Sequence, residues 1–212
     1  MHVIAGALKG RRLVLPRGHR TRPTADQVRI ALMDTLMPML PGARVLDLFA
    51  GAGGVGLEAL SRGAGTTTFI ERDPQAATAL QQNINALGVR ARARLVRADV
   101  ACGLERLASA NEHFEIVFLD PPYESDLVNA TLARLGAGTI TLAGSMVIAQ
   151  HFTKQEVRDA VGVLERSRTR RFGETTLSYY QHRGERSAAP PRDPPPDRSE
   201  KDCEPSDSSP RA

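Results

Sequence analysis

The 212-residue chain has room for one α/β domain with an appended tail, and 41% hydrophobic residues suffice for a sizeable core. Aromatics make up only 4% and tryptophan is absent, so aliphatic side chains must do most of the packing. A net charge of +4 and a pI near 9.5 point to nucleic acid only where the cations cluster, and two cysteines, Cys102 and Cys203, exclude a disulfide framework and a zinc spacing.

The cations do cluster at the front. Lys9, Arg11, Arg12, Arg17, Arg20, Arg22 and Arg29 face a single acid, Asp26, over the first 29 residues. Val3–Gly6 and Arg12–Pro16 read as two short strands joined around Gly10, a basic β-hairpin arm over residues 1–22. Such an arm suits phosphate contacts, and a solvated, charge-protected edge strand is the other reading of the same pattern. A helix is predicted from Thr24, where Thr24-x-x-Gln27 has the form of a capping box. Val28, Leu32, Leu36 and Met39 recur along it at helical spacing, and Pro38 and Pro41-Gly42 close it.

Arg44–Leu48 is a short apolar run suited to a strand buried on both faces. Glycines follow, then a helix ending near Arg62 with Gly63 as its C-cap. Strand, glycine turn and helix open a nucleotide-binding α/β unit, and Gly51-x-Gly53-x-x-Gly56 satisfies the dinucleotide spacing. Glu71, after a strand over Thr66–Ile70, stands where a ribose-binding acid is expected. Asp47 argues against a diphosphate cofactor. Its carboxylate precedes the turn where a pyrophosphate would rest, and like charges a few Å apart cost about 1–4 kcal/mol even when screened. It favours instead a ligand carrying an ammonium and a sulfonium, which describes S-adenosylmethionine.

Pro74–Leu87 reads as a helix, Arg92–Arg97 as a third strand, and Phe114–Leu119 as a fourth. Leu127–Leu135 is helical, Met146–Ala149 a fifth strand, and Gln155–Val163 a further helix. Arg168–Phe172 and Thr175–Gln181 form a hairpin about Gly173. Alternation at this cadence gives a mostly parallel sheet with right-handed crossovers. Residues 183–212 hold seven of the 14 prolines and almost no apolar side chains, so a disordered tail is expected there. The N-terminus lacks a signal-peptide h-region and no run reaches membrane-span length, so a reduced, cytoplasmic setting is expected.

Asp120-Pro121-Pro122-Tyr123 follows the fourth strand and carries the chemistry of a planar amine. The lone pair of an exocyclic amine is delocalised, and acceptors for its N–H groups return density to nitrogen and aim it. Asp120 supplies one acceptor and the Pro121 carbonyl a second, while two prolines stiffen the backbone. Tyr123 offers a face on which a flipped base stacks. A rigid turn with a chance aromatic is the bland alternative. Asp99 either accepts from the donor's adenine amine or caps the helix beginning near Val100.

Asp47-x-Phe49-Ala50-Gly51-x-Gly53 and Asp120-Pro121-Pro122-Tyr123 resemble motifs of Class I amino-methyltransferases. Arg22-Pro23-Thr24-x-Asp26-x-Val28-Arg29 and Gly173-x-Thr175-x-Leu177 are similar to the RsmD family, and the likeness covers roughly residues 2–182. Ala52 departs where a hydroxyl is common, as do Gln27 and Ile30, which replace charged residues. The resemblance implies a Rossmann-like, mostly parallel seven-stranded sheet with helices on both faces and an antiparallel final strand. It places the S-adenosylmethionine-dependent domain at residues 23–182. It further implies methylation of the N2 amine of a guanine in 16S ribosomal RNA, with the assembled small ribosomal subunit as substrate. Independently of that resemblance, a monomer without metal is expected. Catalytic residues are then Asp120, Pro121, Pro122 and Tyr123. The donor is held by Asp47, Phe49, Ala50, Gly51, Gly53, Glu71, Arg72, Asp99, Val100 and Asp120. RNA falls to Lys9, Arg11, Arg12, Arg20, Arg22, Thr24 and Arg29. The competing readings are the same chemistry on adenine N6 or a protein glutamine amide, a non-catalytic RNA-binding assembly factor, and, most distant, an NAD-linked enzyme.

Overall fold

The computed structural model describes residues 1–16, 26–122 and 126–184. Its elements run α1 (Asp26–Leu36), β1 (Arg44–Leu48), α2 (Gly54–Ser61), β2 (Thr66–Glu71), α3 (Pro74–Ala86) and β3 (Ala93–Arg97). They continue with α4 (Val100–Ser109), β4 (Phe114–Leu119), α5 (Leu127–Leu135), β5 (Thr141–Phe152), β6 (Ala160–Val161), β7 (Leu164–Phe172) and β8 (Thr175–His182). One sheet in the order β3-β2-β1-β4-β5-β8-β7-β6 joins all the described strands. β1 to β5 pair in parallel, and β8 inserts antiparallel between β5 and β7. The Rossmann-like α/β fold with an antiparallel final strand is therefore present. An eighth strand, the two-residue β6, extends the expected seven.

Period-2 alternation decides which side chains go to which layer. Val45 joins a core with Leu32 and Leu36 of α1, Leu57 and Leu60 of α2, and Leu80 and Ile84 of α3. Leu46 and Leu48 face the opposite way and pack with Leu104 and Leu107 of α4. Val128, Leu132 and Leu135 of α5 complete that second layer. Helices thus cover both faces, as a parallel sheet requires. Among the described residues no helix is long and apolar enough to cross a membrane.

Three expectations need correction. No helix forms over 155–163; the chain turns there and enters the β6–β7 hairpin, Ala160 opposite Glu165 and Val161 opposite Leu164. Gly162, at φ +55°, leads the two-residue loop, the position at which a tight hairpin turn demands glycine. Gly-Val inside an apolar stretch is thus a turn signal, outweighing the helical spacing of the valines. β5 is also much longer than Met146–Ala149, with the pairing to β4 shifting register between Phe114 and Ile116. The Ser145 hydroxyl stitches that irregularity, donating to the Phe114 carbonyl (2.8 Å) and accepting from Leu142 N–H (2.9 Å).

The third correction concerns the N-terminal hairpin. Residues 1–16 contain one isolated antiparallel bridge, His2 to Arg12, rather than two strands. Several backbone donors of this segment go to α2 instead. Ile4 and Ala5 N–H donate to the Glu58 carboxylate at 2.7 and 3.0 Å, and Ala7 N–H to the Ser61 carbonyl at 2.8 Å. Val3 and Leu13 are buried in the same core as α1 to α3. Arg17, Arg20, Arg22, the proposed cap Thr24, and the tail from residue 185 onward lie outside the described residues.

Candidate active site

Between β1 and β4 the strand order reverses direction, and the carboxyl ends of β1, β2, β3 and β4 open on one cleft of about 940 Å³. A crevice at such a switch point is where open α/β sheets collect ligands. Phe49 to Ala52, Glu71 with Arg72, Ala98 to Val100, and Asp120 to Pro122 all line it. Tyr123, the fourth member of its motif, lies outside the described residues.

The loop after β1 is built by unusual backbone. Phe49 takes φ +61°, a conformation costing a non-glycine residue roughly 1–2 kcal/mol. Gly51 follows at φ +56°, with nothing within 4 Å of where a Cβ would stand. Its glycine is thus required by the backbone bend, and leaves the cavity side open. Gly56 serves a different purpose. A Cβ there would lie 2.3 Å from the Phe69 ring, so its absence lets α2 settle on β2.

Glu71 is fixed by this loop. Its two oxygens accept from Gly51 N–H and Asp73 N–H, each at 2.7 Å, which leaves the carboxylate presented to the cleft in one orientation. Asp99 does cap α4, accepting from Cys102 N–H at 3.0 Å, while still lining the cavity. Asp47 is 1% exposed and accepts from Gly56 N–H at 2.9 Å in the first turn of α2. Burial pushes its pKa well above the ordinary carboxylate value, and the charges of Asp120 and Glu71 push the same way, against the Gly56 bond.

This cluster predicts a trade-off. An acid with a raised folded-state pKa contributes stability at low pH that is lost as pH rises through that pKa. Asp47→Asn keeps an acceptor for Gly56 N–H and removes the buried charge. The ligand-free variant should therefore melt higher than the parent at neutral pH, with the difference vanishing near the ordinary carboxylate pKa, while donor affinity falls. Melting curves across pH, paired with calorimetry, check both halves.

Asp120 is held by Gln150, whose Nε2 donates to Oδ2 at 2.9 Å. Gln150 is buried on β5, the strand beside β4, and its amide reaches across to the end of that neighbour. No motif contains it, because the apolar run that predicts the fifth strand ends at Ala149. A glutamine continuing Val147-Ile148-Ala149 is the available signal. Asn83 escapes sequence reasoning too. From the buried face of α3 it donates to the carbonyls of Ala52 and Val14, and accepts from Val14 N–H at 2.7 Å, tying the glycine loop to the N-terminal segment.

The predicted RNA-contacting residues separate. Lys9, Arg11 and Arg12 are exposed, with the Arg11 guanidinium donating to the Ala86 carbonyl. Arg29 is 1% exposed and lines the cleft instead of the basic surface. Burial lowers its pKa, opposed by the charges of Asp26 and Glu58. Arg20, Arg22 and Thr24 fall outside the described residues.

The pattern of a family described as conserved hypothetical protein 95 matches residues 1–181. A Bacillus subtilis protein named as a candidate rRNA methyltransferase, YlbH, is 35% identical over 184 residues, covering 87% of this chain and 100% of that one. The Haemophilus influenzae protein named ribosomal RNA small subunit methyltransferase D is 35% identical over 135 residues, or 64% of this chain and 70% of its own. Among solved structures, one titled as a candidate methyltransferase of Escherichia coli superposes with a TM-score of 0.75 at 31% identity, covering 86% of this chain and 97% of that one. With the cleft at the switch point and a full-length relative at this identity, the chain belongs to the conserved hypothetical protein 95 family, the RsmD-type methyltransferases that use S-adenosylmethionine.

Proposed function

We propose that this protein methylates the exocyclic N2 amine of a guanine in 16S ribosomal RNA, acting as a monomer on the small ribosomal subunit in the cytoplasm. The observation that carries the reading is the Asp120 carboxylate, held by Gln150 at the end of β4 and opening on the same cleft as Glu71 and the glycine loop. The names of the relatives support ribosomal RNA as the substrate.

When bound, S-adenosylmethionine supplies an electrophilic methyl group on a sulfonium. The residues present fit that group. Glu71 offers acceptors to the ribose hydroxyls, Asp99 an acceptor to the adenine amine, and Asp47 a carboxylate to the ammonium. Phe49, Ala50, Gly51, Arg72 and Val100 complete the wall, whereas Gly53 lies off the lining, where a Cβ would stand 2.4 Å from the Leu80 side chain. At the mouth, Asp120 and the Pro121 carbonyl take the two N–H groups of the target amine, holding its nitrogen toward the cleft and raising its electron density. Tyr123 supplies the stacking face for the flipped base. Lys9, Arg11, Arg12, Arg20, Arg22 and Thr24 contact phosphates. Arg168, Arg170 and Arg171, exposed on β7, extend the cationic surface.

The test is transfer of labelled methyl from the donor to small subunits lacking the modification, followed by mapping of the modified base. Label on a guanine N2 is the expected result. Label on adenine N6, on a protein amide or nowhere would replace this reading by one of its rivals.

A further inference from the structure

We propose that Arg29 binds the α-carboxylate of the methyl donor. The proposal rests on the donor assignment and extends it to a residue whose sequence context suggested RNA. Arg29 comes from α1, away from the strand ends that carry the acidic residues of the cleft, yet it lines the same cavity. Its Nη2 donates to the His2 carbonyl at 2.7 Å and to Asp26 Oδ1 at 2.9 Å. Nε and Nη1 are buried and have no hydrogen-bond partner among the described residues. A buried guanidinium with two of its three nitrogens unsatisfied is costly unless a ligand completes it.

Its surroundings indicate which ligand. Nη1 lies beside Gly54, the first residue of α2, at 3.3 Å from where a Cβ on that glycine would stand. The guanidinium therefore flanks the N-terminal turn of an eight-residue helix, whose dipole favours an anion at the same point. Asp26 does not fill that role, since it binds Nη2 from a side chain that is 54% exposed. Asp47 accepts from Gly56 in the same helical turn. An amino acid carries an ammonium and a carboxylate on one carbon, and Asp47 and Arg29 offer the two opposite charges needed. A phosphodiester is a poorer match, because it is tied into a polymer and Arg29 is 1% exposed, whereas Lys9 and Arg12 stand in solvent.

Calorimetry on the full chain with S-adenosylmethionine and with decarboxylated S-adenosylmethionine isolates the carboxylate. The parent should prefer the intact donor by about tenfold or more, the scale of one charge-assisted bond. Arg29→Gln should lose that preference by weakening only the intact donor, and Arg29→Lys should recover part of it. Equal affinity of the parent for both ligands overturns the proposal, whether or not the variants fold. So does an equal loss of both ligands in Arg29→Gln, which would make the arginine structural. Weakened binding of the small subunit with unchanged donor preference also overturns it, in favour of a phosphate contact. If the parent binds neither nucleoside, the donor assignment itself fails, a result distinct from the other three.

Discussion

Asp120→Ala should lower the turnover of labelled-methyl transfer by about 10²–10³-fold, the scale on which a single pre-placed polar group acts in a transition state. Donor affinity, measured separately by calorimetry, should change by far less. The carboxylate's proposed work is on the amine as its nitrogen gains positive character, so its loss falls on kcat rather than on the ground state. Gln150 sharpens the expectation. It touches Asp120 but is not placed on the reacting amine, so Gln150→Leu should give a smaller defect in the same direction, by releasing the carboxylate from its fixed orientation. If Asp120→Ala left kcat intact and only raised the apparent donor dissociation constant, Asp120 would be a donor ligand and the amine would need another acceptor.

Glu58→Ala should cost about 3–5 kcal/mol of folding stability, read as a fall in denaturant midpoint, because it strips one partner from a buried ion pair. Glu58 is wholly buried on α2. It accepts from Ile4 and Ala5 N–H and from Arg62 Nε at 2.8 Å. Removing it strands two backbone donors and leaves the nearly buried Arg62 guanidinium only its exposed partner Asp34, at 3.3 Å. The effect should reach the cleft, since Met1, Leu15 and Pro16, carried by the same segment, line it. Glu58→Gln should be milder, as the amide oxygen still accepts from one N–H. A variant as stable as the parent would show that the N-terminal segment is not held by this carboxylate.

Much of the architecture is legible in the sequence because it rests on local pattern. β4 and α5 lie where their apolar periodicity puts them, and α4 begins at the Val100 to which Asp99 is the cap. Glu71 and the glycine loop are readable for the same reason, with strand, turn and acid contiguous or at fixed spacing. What escapes depends on contacts remote in sequence. Gln150 reaches Asp120 across 30 residues, Asn83 reaches Val14 across 69, and Glu58 meets Ile4 across 54. None leaves a spacing signature. Arg29 is legible as a cation, but whether a cation faces solvent or a cleft depends on what packs over it. The absent helix at 155–163 is a local misreading, in which valine spacing conceals a glycine turn.

The position of β8 has a consequence for biosynthesis. It is the last of the described strands to be made, yet it sits inside the sheet, with Gln150 of β5 registered opposite Leu177. Until those final residues leave the ribosome, β5 is an open edge and Gln150 has no neighbour on that side. A nascent chain can assemble the donor-binding half from β1 to β4 while synthesis continues, since folding during synthesis proceeds from the N-terminus. The strand that carries the polar clamp on Asp120 is flanked on both sides only when the terminal hairpin docks. Nascent chains released before residue 175 should therefore gain the nucleoside pocket before they gain the ability to hold an amine, so competence to modify a substrate arrives with the end of the domain.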